Sequence, residues 1–588
     1  MRDTNDNTWT EEPGRNILFR LKNMKKTKGK KDKQTKHDTD KRFHWKYRHW
    51  AGLLAVIILS LIINSAGLDW GRSGYVPWQP DSIEGTTTVR EMQKMFGQWT
   101  YKYPRGHFII NGIFYKPLLN YWEKHPVNVR TIDGQITLTT LNQQRLDILA
   151  RISRIITVVM ATGTVLAVFL TAMLLFEDYL AALLSALTLA LSQLFVFYSH
   201  VGNVDVPYIF WFTWGVYWAV KAVYIGKWHH YILLGLFCSY SVCTKEPAGG
   251  YVLGLGFAVW AAMIGKALKK KQNIKNAVLS IFSVKVLAAV LAFSLCFAVL
   301  NGFLGGLKEF SSRMDFWGGV PQLFRAGYKG QLHLLYDSGK YLYFGFGWPL
   351  LIMCIVAVVY CVVKPRWEFA FGVAPLLVFY LLVIMNIRFV VPRFLLGGYP
   401  GLALLVGRTG AEWLRWKKVP NVLRILPIGF IYVLSLFYCI GLDLEMQEDT
   451  RVRVEQWFLR NVSNDSVIGA EIYNRIYAPR LHLSGYRLVC PWKISSVYGT
   501  SAQRGLYPDY LIIPTSWPRI DEEAENALRK QLFEGHLDYK EVASFKTKYL
   551  YPARTIFGLA GWPMRAHQFI SPELIVFEKK GESVDKPN

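Results

Sequence analysis

Residues 203–225 read Asn-Val-Asp-Val-Pro-Tyr-Ile-Phe-Trp-Phe-Thr-Trp-Gly-Val-Tyr-Trp-Ala-Val-Lys-Ala-Val-Tyr-Ile. From Val206 the run is apolar for about the ~20 residues that cross a ~30 Å hydrocarbon layer, and a single acid, Asp205, stands at its head. Pro207 suits the first turn of a helix, so Asp205 has a capping role open to it. An isolated acid kept at the end of a span also points to an ion, a cationic partner or chemistry. The pattern occurs earlier too, where Asp81 lies in Trp-Gln-Pro-Asp-Ser-Ile-Glu at 78–84, just past the first apolar run.

Working outward, the sequence predicts eleven spans: 50–68, 152–175, 180–199, 206–225, 231–247, 248–265, 277–303, 341–363, 369–387, 391–408 and 422–443. With 52% hydrophobic and 15% aromatic residues in 588, the fold class is a polytopic α-helical membrane protein. Three parts follow: a basic cytoplasmic arm over 1–49, a membrane domain over 50–443 and a soluble α/β domain over 444–588. The arm and first span are read as an uncleaved anchor, because no convincing small-residue cleavage site follows.

The net charge of +26 does not imply nucleic acid, because the cations gather where a membrane protein keeps its cytoplasmic side. Residues 1–50 hold fifteen Lys and Arg against seven acids, whereas 444–588 hold nineteen against eighteen. A cytoplasmic N-terminus also places Lys266–Lys275, Lys364–Arg366 and Arg408–Arg424 on that side. The odd span number then puts the C-terminus outside, in a plasma, inner or endoplasmic reticulum membrane. Long loops over 69–151 and 304–340 share that outer face.

Within the first loop, Glu84 to Phe96 has a helical pattern and His107 to Leu119 is an apolar stretch suited to the interface. Trp78, Trp99, Tyr101 and Tyr103 suit the headgroup level. In the tail, Val467–Ala470, Tyr510–Ile513 and Leu574–Phe577 read as strands and Asp521–Phe533 as a helix. Six of the seven cysteines lie in or beside apolar runs, leaving Cys490 in the tail, so no disulfide framework or Cys-based zinc site is legible.

Topology gathers Asp81, Glu84, Lys102, Arg105, His107, Asp205, Lys245, Glu246, Arg388 and Arg393 on the outer face. Acids able to activate a hydroxyl and cations able to hold a phosphate are thereby mixed at the outer leaflet. His107, His125, His200 and His333 lack the spacing of a zinc pair, while Asp81 and Asp205 together would suit a divalent cation. Each residue also has a plainer reading. Asp81 precedes a helical pattern and would serve as a cap, and Lys245 beside Glu246 would serve as a snorkelling pair. Arg393, inside an apolar run, demands either a substrate contact or an ion pair. Arg313, Arg325, Asp315 and Asp337 in the 304–340 loop would help cover a site or form a solvated face.

The order of five anchors resembles the membrane-embedded C-type glycosyltransferases, in the group of protein O-mannosyltransferases and lipid A aminoarabinose transferases. They are Pro80-Asp81, Lys102-Tyr-Pro-Arg-Gly-His107, Asn203-Val-Asp-Val-Pro207, Thr244-Lys-Glu246 and Arg393-Phe-Leu-Leu-Gly-Gly-Tyr-Pro400. The resemblance implies Asp81 as catalytic carboxylate, with Glu84 and Asp205 as further acids. It implies Lys102, Arg105, His107, Lys245, Glu246, Arg393 and Tyr399 as substrate contacts. The partners it implies are a polyprenyl-phosphate sugar donor in the bilayer and an extracytoplasmic protein, lipid or glycan acceptor. Ser82 follows Asp81 where relatives often carry a second acid, and the Lys102–Arg105 segment lacks a second proline.

The chemistry supports this independently of the name. Displacing a polyprenyl phosphate needs one base near the attacking hydroxyl and positive charge near the phosphate, because the phosphate leaves as a stable anion. A glycosidase would want two carboxylates across the bond and leaves the cations unexplained. The alternative is a membrane transporter or lipid flippase, which would place its charges near the midplane and show two related halves.

Overall fold

The structure is a computed structural model that describes residues 47–71, 78, 81–94, 101–130, 136–269, 282–301, 310–315, 328–470, 479–489, 508–514, 530–546 and 572–580, with a few isolated positions besides. Two compact units divide the chain, Met1–Leu54 and Ala55–Asn588, and the site lies in the second.

Helices follow the apolar runs because a backbone in lipid must satisfy its own polar groups. The first are α1 Tyr47–Ala66, α2 Thr86–Met92 and α3 Gly106–Lys124, followed by a small hairpin, β1 Val127–Arg130 and β2 Ile136–Thr139. Next come α4 Gln143–Phe176, α5 Tyr179–Ala190, α6 Gln193–Ser199, α7 Asp205–Tyr224, α8 Trp228–Val242, α9 Ala248–Lys269 and α10 Val284–Leu300. The series continues with α11 Gln331–Val363, α12 Ala370–Phe379, α13 Pro392–Leu395, α14 Tyr399–Leu414 and α15 Asn421–Gln447.

Among the described residues, five stretches, Gln143–Phe176, Ala248–Lys269, Gln331–Val363, Trp367–Ile387 and Asn421–Asn461, are long and apolar enough to cross a bilayer; α5 with α6, bent by 62°, would make a sixth. The chain is a multi-pass integral membrane protein. Among the described residues, helices fall within the expected runs, although those outside these five or six are too short or too polar to qualify alone. Packing is closest between α4 and α7, α7 and α8, α8 and α10, α9 and α12, and α5 and α14.

Several boundaries differ from expectation. The 180–199 run breaks at Leu191 and Ser192, and α11 begins at Gln331, inside the expected 304–340 loop. Gly347, with φ of 69°, joins two helical pieces there, so the apolar run from 341 belongs to a longer, kinked helix. Of the helix expected over Glu84 to Phe96, Thr86–Met92 is helical, and Met95 and Phe96 lie outside the described residues. Trp78 and Tyr103 are buried within the protein, and Trp99 lies outside the described residues.

The tail adds α16 Thr450–Asn461 and five strands, β3 Val467–Gly469, β4 Arg487–Val489, β5 Tyr510–Pro514, β6 Tyr539–Phe545 and β7 Leu574–Lys579. Their order is β4-β3-β5-β7-β6, parallel across β4, β3 and β5 and antiparallel across β5, β7 and β6. Val454 and Phe458 of α16 close over Ile468, Ile512 and Val576 to form its core. The three strands expected here are β3, β5 and β7. Cys490 and most of Asp521–Phe533 lie outside the described residues.

Candidate active site

Asp81 has a left-handed backbone, φ 64°, which costs a non-glycine residue energy and persists only where its surroundings enforce it. The enforcement is visible immediately after it. Ser82 Oγ donates to the Gly202 carbonyl at 3.2 Å and the Ile83 amide donates to the same oxygen at 2.9 Å. A Cβ at position 202 would stand 2.4 Å from Glu84 Oε2, so only glycine lets the two loops close. The contact ties the Asp81 loop to the turn that opens α7 with Asp205.

Two cations reach the Asp81 carboxylate, Lys102 Nζ on Oδ1 and Arg393 Nη1 on Oδ2. Lys102 precedes α3, whereas Arg393 belongs to the four-residue α13, so the trio joins segments far apart in sequence. Burial would raise the Asp81 carboxyl, but Arg393 and Lys102 outweigh it and hold the group well below the usual carboxylate range. The Tyr101 and Tyr103 phenols on either side of Lys102 are pushed up by burial first and by the Asp81 charge second, Tyr101 to about 12. Both therefore stay protonated donors.

Asp205 begins α7 and is fully buried. Its carboxylate pairs with Lys245 and accepts from Asn203 Nδ2 at 2.9 Å, while its amide donates to Asn203 Oδ1 at 3.0 Å. Lys245 also lies over the rings of Tyr208 and Phe394, 5.4 and 5.9 Å from their centres, which brings this pair beside the residue next to Arg393. Asp205 and Arg393 attract each other across that gap. Across Asp81, Asp205, Lys102, Lys245 and Arg393, three positive and two negative charges leave a net +1.

The remaining expected residues are placed differently. Glu84 takes both oxygens to Arg154, at 2.8 Å each, with both side chains fully buried, and Arg154 also donates to the Leu68 and Trp70 carbonyls at 2.8 and 2.6 Å. Glu246 binds Arg313 of the 304–340 loop at 3.0 Å. Arg105 is buried at the start of α3. His107 is fully buried, with neither ring nitrogen hydrogen-bonded among the described residues, and burial lowers it to about 3. Tyr399 is fully buried, stacked on Phe346 with ring centres 4.1 Å apart and its hydroxyl against Gly345. Arg388 lies over the Tyr328 ring.

Arg154 and Asn203 are the residues sequence reasoning missed. A lone arginine three residues into the second apolar run is the signal that calls for a buried acid. A divalent ion does not suit this arrangement: lysine and arginine already occupy Asp81 and Asp205, and the described residues contain no cluster of three or more metal-binding side chains.

Solved structures resemble the chain only distantly. The oligosaccharyltransferase AglB of Archaeoglobus fulgidus, in complex with an inhibitory peptide and a dolichol-phosphate, aligns with TM-score 0.42 and 12% identity over 76% of this chain and 64% of that one. This chain thus spans less than two thirds of that enzyme in the alignment. ArnT of Cupriavidus metallidurans, bound to undecaprenyl phosphate, aligns with TM-score 0.40 and 10% identity over 92% of this chain and 100% of that one. No curated protein sequence matches. Over residues 116–302, from within α3 to just past α10, the chain matches the family model for dolichyl-phosphate-mannose-protein mannosyltransferase.

Proposed function

We propose that the protein is an inverting glycosyltransferase that moves one sugar from a polyprenyl-phosphate donor to a hydroxyl outside the cytoplasm, with Asp81 as general base. The observation that carries this is the sharing of one Asp81 carboxylate between Lys102 and Arg393. So paired, Asp81 is a weak base, because its proton affinity is suppressed. A donor phosphate competes for the same two cations. As they turn to the phosphate, the carboxylate regains basicity at the moment the anomeric carbon arrives.

The acceptor O–H proton then passes to an Asp81 oxygen while the acceptor oxygen bonds to the anomeric carbon. The bond from that carbon to the phosphate oxygen breaks, and its electron pair leaves with the phosphate, whose growing charge Lys102 and Arg393 stabilise. Asp205 and Lys245 form a second, neutral pair that orients the start of α7. The match over 116–302 makes mannose the first sugar to test. An outer-face site and an extracytoplasmic tail complete the reading, supported by the positive-inside charges.

The test is Asp81→Asn in purified protein supplied with dolichyl-phosphate-mannose and membrane acceptors. Turnover should fall by roughly 10²- to 10⁴-fold. An active Asn variant removes the base assignment. Charges at helix ends, Asp205 at the start of α7 and Arg393 within α13, favour this over transport through the midplane.

A further inference from the structure

Three residues before Asp81, Trp78 is fully buried, packed on Gly71 and Trp70 and also on residues from much later in the chain. The guanidinium carbon of Arg451, in α16, lies 3.8 Å from the centre of the Trp78 ring, and that of Arg480 lies 4.4 Å from it. A cation over an indole face is at its strongest when both are removed from water, and Arg451 is fully buried. Its position is fixed in turn. Asp449 caps α16 and accepts from Arg451 Nε at 2.9 Å and Nη2 at 2.6 Å, while Trp70 Nε1 donates to the same carboxylate at 2.9 Å.

We propose that the C-terminal region is a working part of the active site: Arg451 and Arg480 grip Trp78 and thereby hold the Asp81 loop in its reactive position. This rests on the reading of Asp81 as the base. The loop has two anchors. Downstream, Ser82 and Ile83 bond to Gly202 and Glu84 bonds to Arg154; upstream, the Trp78 amide donates to the Gly71 carbonyl at 3.2 Å and its ring is gripped by the two arginines. Between them sits the left-handed Asp81, a conformation that relaxes if either end is released. Arg451 and Arg480 touch neither reacting atoms nor phosphate, so they are positioning residues. Their loss displaces the base without removing the cations that bind the donor.

The test compares full-length protein in lipid nanodiscs with the variant Arg451→Lys/Arg480→Lys, which keeps both charges but loses the planar stack. Transfer from dolichyl-phosphate-mannose should fall about 10- to 100-fold, while dolichyl phosphate affinity is kept or rises by up to about tenfold as Asp81 moves away from Lys102 and Arg393. Adding Trp78→Leu should cause no further loss, because all three changes release one contact. A nitroxide on Asp81→Cys provides a reading that needs no donor, and its spectrum should become more mobile in the lysine variant. Unchanged transfer, an unchanged nitroxide spectrum, or turnover, affinity and unfolding midpoint all falling together would overturn the inference.

If the double lysine variant does not fold, Arg480→Lys alone should lower transfer severalfold and mobilise the label; wild-type values for both would overturn the inference equally. Asp81→Asn separates the two claims. An active Asn variant sinks the base assignment whatever the arginines do. An inactive Asn variant beside wild-type lysine variants sinks only the grip.

Discussion

Replacing Glu84 by alanine decides whether this acid is machinery or architecture. Both of its oxygens meet Arg154 at 2.8 Å, and neither side chain has exposed surface. Removing one member of such a pair leaves a desolvated charge, which costs about 3 to 5 kcal/mol. Arg154 keeps the Leu68 and Trp70 carbonyls, so the expected loss lies near the lower bound, about 3 kcal/mol. Glu84→Gln retains a neutral acceptor and should lose roughly 1.5 to 3 kcal/mol, the worth of a hydrogen bond to a charged group. The double variant Glu84→Gln/Arg154→Met removes both charges and should recover a large part of the alanine loss, as buried pairs replaced by apolar groups do. Equilibrium unfolding in mixed micelles provides these values, with turnover measured on the folded fraction. A Glu84→Ala protein with an unchanged unfolding free energy and a turnover lowered by orders of magnitude would refute the architectural account and restore the acid to the chemistry.

Three further outcomes follow from the site. Asp81→Asn should bind dolichyl phosphate roughly tenfold more tightly in equilibrium binding, since releasing Lys102 and Arg393 from two part-exposed pairs returns up to about 1 kcal/mol each; weaker binding would refute the competition between carboxylate and phosphate. His107 is lowered from 6.5 to about 3, so its contribution to stability is complete above pH 6.5 and is eroded as pH falls toward 3. At pH 5 the loss is about 1.5 pH units, on the order of 2 kcal/mol, and His107→Phe should flatten the stability curve between pH 7 and 5. Tyr399→Phe removes a buried hydroxyl that has no hydrogen-bond partner among the described residues, so unfolding should change by less than about 0.5 kcal/mol, while a drop in turnover would assign Tyr399 to the substrate.

Much of the site was legible because charges are conspicuous in apolar surroundings. Asp81, Lys102, Asp205, Lys245 and Arg393 stood out at span ends or in the flanking loops, and the structure draws the five into two ion-paired groups that act on each other. Pairing was not legible, because it depends on which helix ends meet. Glu84 was read as an acid near Asp81, yet its charge is answered by Arg154, seventy residues later in sequence. Tail strands β3, β5 and β7 were visible as β-branched runs, whereas β4 and β6, with Arg487, Lys540 and Glu541, carry too many charges to read as strands. The break inside 180–199 and the start of α11 at Gln331 were hidden because an apolar run reports burial in lipid, not straightness.

The tight seam at Gly202 has a consequence for how the site can move. The loop bearing Asp81 and the turn bearing Asp205 are welded to each other there, with a Cβ at position 202 only 2.4 Å from the Glu84 carboxylate, so neither can swing aside alone. Arg393 is mounted otherwise, on a four-residue helix between left-handed Arg388 and the 3₁₀ turn Leu396–Gly398. In that turn Gly397 and Gly398 are packed as closely, against Tyr251 and Leu376. The supports of the two acids are therefore linked, and a shift of either carries the other with it.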